Sequence, residues 1–301
     1  MSKTMISIIM ITYNHEKYIH GALMSAIAQQ NESCGIEILI VDDGSSDRTV
    51  NIIQEVQSKF PEIVFPTFKE HAGVTAINKN LNEQIRKARG NYIGFLAGDD
   101  EYYPDRFASQ LNIFEEDSDV MLIYSMGNNF NDDGVMGACQ GDDMIGVLEK
   151  QNVGSLYDYI INNVPSIFVQ GALIKKDLVS AAEFDEEVIA DDWALNIRML
   201  MQLRERKKRY RFIKEVTFLR RLHNSNTSYN VDHQIPRMIQ IVEKYSPKEI
   251  RRYFIGKIYI NNMKNALIQY NIFYSMRFFI LSFVGFPKNI AYFISKVLEK
   301  I

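Results

Sequence analysis

Apolar runs and helical spacings alternate through the first hundred residues. Four runs rich in Ile, Val, Leu and Phe stand at Ile6–Ile11, Ile36–Val41, Ile63–Phe68 and Tyr92–Leu96. They are nearly continuous rather than alternating, which is typical of strands buried on both faces of a parallel sheet. Between the runs, apolar residues recur at helical spacing over residues 16–30, after residue 45 and over residues 74–88. This alternation predicts an α/β fold with a doubly wound, mainly parallel sheet.

The pattern is looser after about residue 120. It predicts strands at Val120–Ser125, Ile167–Ile174 and Phe212–Leu219, and a helix over Trp193–Arg206. Pro104 is expected in the first turn of the helix that follows the fourth strand. Residues 235–301 are mostly helical in pattern. We therefore predict an α/β domain over residues 1–230 and a helical appendage over residues 235–301.

Composition limits the class and the compartment. With 301 residues and 47% hydrophobic residues, the chain can bury one large core and a smaller appendage. Two cysteines are too few for a disulfide framework or a cysteine zinc site, which fits a reducing cytoplasm. The short apolar run near the start lacks a cleavage site, and no stretch approaches the ~18 apolar residues of a membrane-spanning helix. These features predict a cytoplasmic protein.

The net charge of −3 hides an asymmetry. Residues 235–301 contain 11 Lys and Arg against 3 Asp and Glu, so this tail carries +8 and the rest of the chain −11. An acidic body argues against nucleic acid as its ligand. A basic tail rich in aromatic residues favours peripheral contact with the anionic inner face of a membrane. The alternative is a helical subdomain packed on the body or on a second copy in a homo-oligomer.

Polar clusters follow three of the four predicted strands. They are Thr12-Tyr13-Asn14, Asp42-Asp43-Gly44-Ser45 and Gly98-Asp99-Asp100. Each alone is typical of a turn, as we interpret the acidic pairs Asp132-Asp133 and Asp142-Asp143. However, ligands of open parallel sheets bind at the carboxyl ends of the strands, so three clusters at one edge predict a binding site.

The glycine-rich phosphate loops are missing from the sequence. No G-x-G-x-x-G follows the first strand, and no G-x-x-x-x-G-K-[ST] occurs anywhere. Phosphates would therefore be held by other means, for which Mn²⁺ or Mg²⁺ bound by carboxylates is the obvious candidate.

Three blocks carry a family resemblance. Ser7–Asn14, Ile38–Asp47 and Ala88–Asp100 closely resemble the family 2 glycosyltransferases of the GT-A fold. The resemblance is strong over about residues 5–110 and weaker to about residue 228. It implies inverting, metal-dependent transfer of a sugar from a nucleoside-diphosphate donor to an acceptor hydroxyl. It also implies a lipid-linked glycan acceptor in bacterial surface-polysaccharide synthesis.

The resemblance assigns the nucleotide-binding residues. Tyr13, between Thr12 and Asn14, matches the residue that packs on the base. Asp42 matches the carboxylate that reads the base edge, with Asp43 beside it, which favours a UDP-sugar. Lys79 matches a basic residue on the helix before the fourth strand, and it either meets the diphosphate or is simply solvated.

The resemblance also assigns the metal ligands. Asp99 and Asp100 match the end of the family's carboxylate motif, often D-x-D-D, but here Ala97 replaces the first acid. Metal binding would then rest chiefly on Asp100, with Asp99 between metal and nucleotide. His223 resembles a late histidine that completes the metal site or contacts the diphosphate in some members. A solvated loop histidine is the alternative.

The general base is assigned to an acidic pair. Asp191-Asp192, directly before Trp193, resembles the family's base motif, which favours Asp192 as the base with Asp191 beside it. Both acids also suit the start of a helix, where one caps and the other complements the dipole. Two competing functions stay open, namely nucleotidyl transfer and non-catalytic binding of a sugar nucleotide.

Overall fold

A computed structural model describes residues 4–189, 192–223, 231–268, 276–277 and 279–281. The chain divides into two compact units. The first comprises Met1–Tyr157 and Ser166–His223, and the second comprises Asp158–Pro165 and Asn224–Ile301.

One mixed sheet of nine strands forms the centre of the described part of the first unit. The strands are β1 (Thr4–Thr12), β2 (Cys34–Asp42), β3 (Val64–Phe68), β4 (Tyr92–Ala97), β5 (Glu101–Tyr102), β6 (Val120–Asn131), β7 (Gly134–Ala138), β8 (Leu173–Lys175) and β9 (Arg209–Arg221). Their order is β3-β2-β1-β4-β8-β6-β9-β5, with β7 paired to β6. β3, β2, β1 and β4 are parallel, as the nearly continuous apolar runs predict.

The helices of the first unit pack around this sheet. They are α1 (Ile19–Ile27), α2 (Thr49–Lys59), α3 (Ile77–Lys87), α4 (Ala108–Glu116), α5 (Asp142–Glu149), α6 (Val153–Ile160), α7 (Lys176–Ala182) and α8 (Asp192–Glu205), of which α6 runs into the second unit. Ile8, Ile38 and Leu23 are fully buried in the main core, between the parallel strands and α1. The α/β fold with a mainly parallel half-sheet agrees with the prediction.

Three local expectations are wrong. The predicted strand Ile167–Ile174 is a 3₁₀ turn, Val169–Gly171, followed by the short β8. Pro104 lies before α4 rather than in its first turn, because Asp105 has a φ of 54°, which interrupts helical geometry. Asp142 and Asp143 begin α5 rather than forming a turn, a position where acids complement the helix dipole.

The described part of the second unit is helical. It contains α9 (Val231–Tyr245) and α10 (Arg251–Ile268). Within this unit the Ser246 hydroxyl donates to the carbonyl oxygen of Ile161 at 2.6 Å. No helix among the described residues is both long and apolar enough to cross a bilayer.

Candidate active site

The carboxyl ends of β1, β2 and β4 meet at one edge of the sheet. Thr12 is paired in register with Asp42, and Ile11 with Ala97. Beyond the strands, the Asp43 N–H donates to the Thr12 carbonyl at 3.0 Å, and the Gly98 N–H donates to the Ile11 carbonyl at 3.0 Å. The three polar clusters are therefore joined by backbone hydrogen bonds into one continuous rim.

An aromatic stack stands at one end of this rim. The ring of Tyr13 lies 4.2 Å from that of His71, with 16° between the planes, and Tyr13 is 40% exposed. His71 Nδ1 lies 3.0 Å from Oδ2 of the buried Asp43. Gly44 permits this arrangement because it has a φ of +77° and a Cβ there would lie 2.5 Å from the backbone nitrogen of His71. Tyr13 thus presents a fixed, accessible ring.

Asp42 and Asn14 shape the loop next to that stack. The buried Asp42 carboxylate accepts the Ser45 N–H at 2.9 Å and the Gly44 N–H at 3.1 Å, and also the Ser45 hydroxyl. Asn14, with a φ of 53°, accepts the Ser46 N–H through its side-chain oxygen at 2.9 Å. The Asp42 carboxylate is therefore held in one orientation by its own turn.

Asp99 faces two histidines. Its Oδ2 lies 3.0 Å from Nε2 of His223 and 4.0 Å from Nε2 of His15. His15 Nδ1 lies 3.1 Å from the Thr12 hydroxyl, and burial lowers the pKa of His15 despite the opposing charge of Asp99. Gly98 makes room for this group, since a Cβ there would lie 2.5 Å from Thr12 Oγ1. Two imidazole nitrogens thus converge on one carboxylate oxygen.

Asp100 points into the protein instead. Its Oδ1 accepts the Arg221 N–H at 2.9 Å, and its Oδ2 accepts the Gln170 side-chain amide at 3.0 Å. Burial, together with the negative charge of Asp99, raises the pKa of Asp100 to about 8. The Arg221 guanidinium contacts the Asp99 carbonyl at 3.1 Å and Glu101 at 2.8 Å.

These residues fit a divalent cation held jointly with phosphate. No group of three His, Cys, Asp or Glu side chains in the described ranges is arranged to hold a metal by itself. Mn²⁺ and Mg²⁺, however, are commonly held by one or two carboxylates together with substrate phosphates. Asp99 and Asp100 are adjacent and buried, and a nearby cation would favour the charged forms of both carboxyl groups.

The candidate base begins α8. Oδ2 of Asp192 accepts the N–H of Val169 at 3.2 Å, and its carbonyl accepts the Asn196 amide at 2.8 Å. We call the 3₁₀ turn Val169–Gly171 the bridging turn, because Gln170 within it also donates to Asp100. Asp191 lies outside the described residues. The structure thus connects Asp192 to the Asp99-Asp100 end of the rim through one turn.

Lys79 lies on the exposed side of α3, where Glu83 is one turn away and feels its charge. The side chains of Asn78 and Asn82, on the same helix, are buried. Asn78 donates to the carbonyls of Asp185 and Val188 at 2.7 and 3.1 Å, and Asn82 donates to the Phe184 carbonyl at 2.9 Å. The helix that carries Lys79 is thereby attached to the segment that precedes the acidic pair.

Sequence reasoning missed His15, His71, Gln170 and Arg221 as parts of this site. The first two lie in the loops after β1 and β3, and an imidazole near the carboxyl end of a strand is the one signal that could have identified them. Gln170 and Arg221 contact Asp100 across more than 65 residues of sequence, and no local pattern encodes such a contact.

Comparison with known proteins identifies the family. The family model for glycosyl transferase family 2 matches residues 7–180. The minor teichoic acid biosynthesis protein GgaB of Bacillus subtilis (strain 168) is 27% identical over 222 residues, which is 74% of this chain and 23% of GgaB. Chondroitin synthase of Escherichia coli is 33% identical over 130 residues, 43% of this chain and 18% of that enzyme. The chain thus spans less than a quarter of the length of either relative.

Solved structures show the same fold. S. aureus TarS 1-349 in complex with UDP-GlcNAc aligns with a TM-score of 0.56 and 16% identity, over 84% of this chain and 71% of TarS 1-349. The mannosyltransferase PcManGT from Pyrobaculum calidifontis, in complex with GDP-Man and Mn²⁺, aligns with a TM-score of 0.56 and 13% identity, over 94% of this chain and 86% of PcManGT. The fold is of the GT-A type. With more than half of its residues matched by the family model, the chain belongs to glycosyl transferase family 2 and is a glycosyltransferase.

Proposed function

We propose that this glycosyltransferase moves a sugar, with inversion, from a UDP-sugar to an acceptor hydroxyl with the help of Mn²⁺ or Mg²⁺. The observation that carries the proposal is the continuous rim formed by Thr12-Tyr13, Asp42-Asp43 and Asp99-Asp100, with His223 against Asp99. TarS binds UDP and UDP-GlcNAc and PcManGT binds GDP-Man with Mn²⁺, which supports a nucleotide-sugar donor and a divalent metal.

The nucleotide base would lie on Tyr13. Its ring is exposed on one side and supported on the other by His71, which prepares it for stacking. Asp42 and Asp43 lie beside it at the end of β2, and we assign them to the base and ribose, with Thr12 and Asn14 lining the same loop. Lys79, exposed on α3, is assigned to the diphosphate.

The metal would be held chiefly by Asp99 and His223. Asp100 has both oxygens engaged by internal donors, whereas the Asp99 oxygen and the His223 nitrogen lie 3.0 Å apart, a spacing suited to two ligands of one cation. We therefore assign Asp99, rather than Asp100, as the chief carboxylate ligand of the metal. Asp100 would lie beside it without binding the metal as strongly. When bound, the cation would neutralise the charge that gathers on the leaving diphosphate.

Asp192 is the base in this proposal. The acceptor oxygen attacks the anomeric carbon as the bond to the diphosphate oxygen breaks, so a single displacement inverts that carbon. The hydroxyl proton passes to the Asp192 carboxylate, a step typically worth 10²–10⁴-fold. Val169 N–H and the start of α8 hold that carboxylate in place.

The acceptor is proposed from the relatives and the tail. GgaB takes part in minor teichoic acid biosynthesis, and the other relative named above is a chondroitin synthase, which supports a polysaccharide acceptor. The tail's charge of +8 supports contact with an anionic membrane surface, where a lipid-linked glycan would be found. Packing against a second copy of the chain is the competing use of the same tail.

The experiment is a donor screen with turnover as the readout. Thermal stabilisation by UDP-, dTDP-, GDP- and ADP-sugars is measured with and without Mn²⁺, and sugar release or transfer is then followed for the donors that bind. Donor hydrolysis or transfer with a UDP-sugar that requires the metal supports the proposal. Binding without turnover on any acceptor would instead favour a sugar-nucleotide binding role.

A further inference from the structure

Arg106 is a wholly buried cation without a carboxylate partner in the described part of the chain. Its relative exposure is 0%, and no ion pair joins it to any described acid. The guanidinium lies over the rings of Tyr102 and Phe107, at 4.1 and 4.4 Å from their centroids. Burial lowers the pKa of Arg106.

A buried charge of this kind is costly. Removing a guanidinium from water sacrifices its hydration, and a protein with an apolar residue of similar size at such a position is often as stable or more stable. The aromatic rings offset part of this cost. Core stability alone therefore does not account for an arginine here.

The guanidinium of Arg106 donates to the bridging turn, to the residue after it and to Gln110. Nη1 donates to the Gln170 carbonyl, and Nη2 donates to the Ala172 carbonyl at 3.0 Å. Nη2 also contacts Gln110 Oε1 at 3.4 Å, and the Gln110 amide in turn donates to the Gly171 carbonyl at 3.3 Å. The carbonyls of three successive residues, Gln170, Gly171 and Ala172, thus each accept a hydrogen bond from Arg106 or Gln110. Lysine offers no such planar fork of donors.

The opposite side of the same turn faces the proposed chemistry. The Gln170 side chain donates to Asp100 at 3.0 Å, and the Val169 N–H donates to Asp192 at 3.2 Å. One short turn therefore carries donors to a carboxylate at the metal end and to the proposed base. A shift of this turn would therefore disturb a hydrogen bond to each of the two carboxyl groups.

We propose that Arg106 is a positioning residue for glycosyl transfer, acting through the bridging turn on Asp100 and Asp192. The inference rests on the proposed role of Asp192 as base. A misplacement of about 1 Å can cost on the order of 10²-fold in rate. Loss of Arg106 should therefore reduce kcat while leaving the distant Tyr13 end of the site intact.

The test compares Arg106→Met with a control, Arg211→Met. Arg211 donates to the side chains of Gln151 and Asp117 at 3.3 Å each, near the start of β9, whereas the site lies beyond the end of that strand. We expect Arg106→Met to lower kcat at least tenfold, with the KM for the donor within about twofold of wild type. Arg211→Met should keep kcat. Hydrogen exchange should become faster over residues 166–174 in Arg106→Met and not in the control.

Unchanged kcat, or unchanged exchange over residues 166–174, overturns the proposal. If Arg106→Met does not fold, Arg106→Lys takes its place, because lysine keeps the charge and loses the two-carbonyl contact. Wild-type kcat in Arg106→Lys is then the contrary result. Asp192→Asn is measured beside them. An active Asp192→Asn would refute the base assignment, whereas an inactive Asp192→Asn together with a fully active Arg106→Met would refute only the role of Arg106.

Discussion

Nε2 of His223 lies 3.0 Å from Oδ2 of Asp99, although 124 residues separate them in sequence. The contact joins the end of β9 to the end of β4 and supplies a nitrogen and an oxygen at one point on the rim. Carboxylate oxygens suit Mn²⁺ and Mg²⁺, and the imidazole of histidine is the commonest protein ligand for metals in general. This pair is the basis of the metal-dependence prediction.

We expect turnover to require Mn²⁺ or Mg²⁺ and to stop with chelator. Asp99→Asn and His223→Ala should each weaken Mn²⁺ binding in the presence of UDP by about tenfold or more. Each variant impairs one of the two proposed protein ligands, and loss of even an outer partner of a ligand typically costs about 10–100-fold in affinity. Binding is measured by the Mn²⁺ electron paramagnetic resonance signal. Asp177→Asn, an exposed acid paired with Arg206, is the control. Full activity in excess EDTA would falsify the metal-dependent mechanism.

The nucleotide end makes a second prediction. UDP should bind more tightly than ADP or GDP, with a thymidine diphosphate as the nearest competitor. Asp42→Ala should raise the donor KM more than it lowers kcat, because base contacts are similar in the ground and transition states. Tyr13→Ala should raise KM by up to about tenfold, the value of one aromatic contact, while Tyr13→Phe keeps the stack. Calorimetry that finds tight ADP binding and no UDP binding would contradict this assignment.

The parallel half of the fold was predictable because its strands are buried on both faces. Such strands have to be apolar almost throughout, so β1, β2 and β4 stand out as runs. The sheet edge that holds Thr12, Asp42 and Asp99 then follows from chain direction alone. The apolar runs therefore predicted the parallel sheet and the sheet edge at which the candidate site lies.

The bridging turn could not be predicted in the same way. Ile167–Ile174 is apolar enough for a strand, but Arg106 and Gln110 take up three of its carbonyls from a distant part of the chain. Long-range side-chain hydrogen bonds of this kind override local propensity and leave no periodic signal. His71 is similar, because only the fold brings it under Tyr13.

A buried acid away from the site makes a pH prediction. Burial tends to raise the pKa of Glu37, but hydrogen bonds from Ser7 and from the backbone and side chain of Arg89 outweigh it, so the pKa falls below the ordinary value. A depressed carboxyl pKa stabilises the fold above the unfolded-state pKa, and this contribution is lost as pH falls through the folded-state value. Glu37→Gln should therefore lower Tm at pH 7.

The difference between Glu37→Gln and wild type should shrink below about pH 4.5, near the ordinary pKa of glutamate. Thermal unfolding across pH 3–8 measures it. Glu149→Gln, which removes an exposed ion pair with Lys214, is the control and should show little change at any pH. A difference in Tm that stays constant with pH would mean that the charge of Glu37 is not what stabilises the fold.

The basic tail makes a prediction about membranes. The protein should bind vesicles containing anionic lipid and release them as salt rises, because surface charges are screened over about 10 Å at 0.1 M salt. Lys248→Gln with Arg252→Gln, two exposed positions in the second unit, should weaken binding by about 1 kcal/mol per charge. Neutral phosphatidylcholine vesicles are the control. If the protein does not bind anionic vesicles, the result would favour packing of the tail on the body or on a second copy of the chain.

The last prediction concerns the general base and distinguishes two acids that are adjacent in sequence, Asp191 and Asp192. The Asp192 side chain accepts a hydrogen bond from the Val169 N–H, and Asp192 is the first residue of α8. Asp191 precedes it in the sequence. The two roles can be told apart because loss of a general base lowers the reaction rate, whereas loss of a helix cap lowers the stability by about 1 kcal/mol. We expect Asp192→Asn to fold normally, to bind donor and Mn²⁺, and to lose about 10²-fold or more in kcat.

Asp191→Asn should instead lower Tm, with a smaller loss of rate. Single-turnover kinetics and thermal unfolding on both variants give the two readouts from the same preparations. The opposite division of rate and stability would identify Asp191 as the base. If neither variant loses more than about tenfold, less than a general base normally supplies, the acceptor proton goes to a group elsewhere on the rim. The two imidazoles beside Asp99 would then be the next groups to substitute, because both lie at the carboxyl edge where the acceptor must enter.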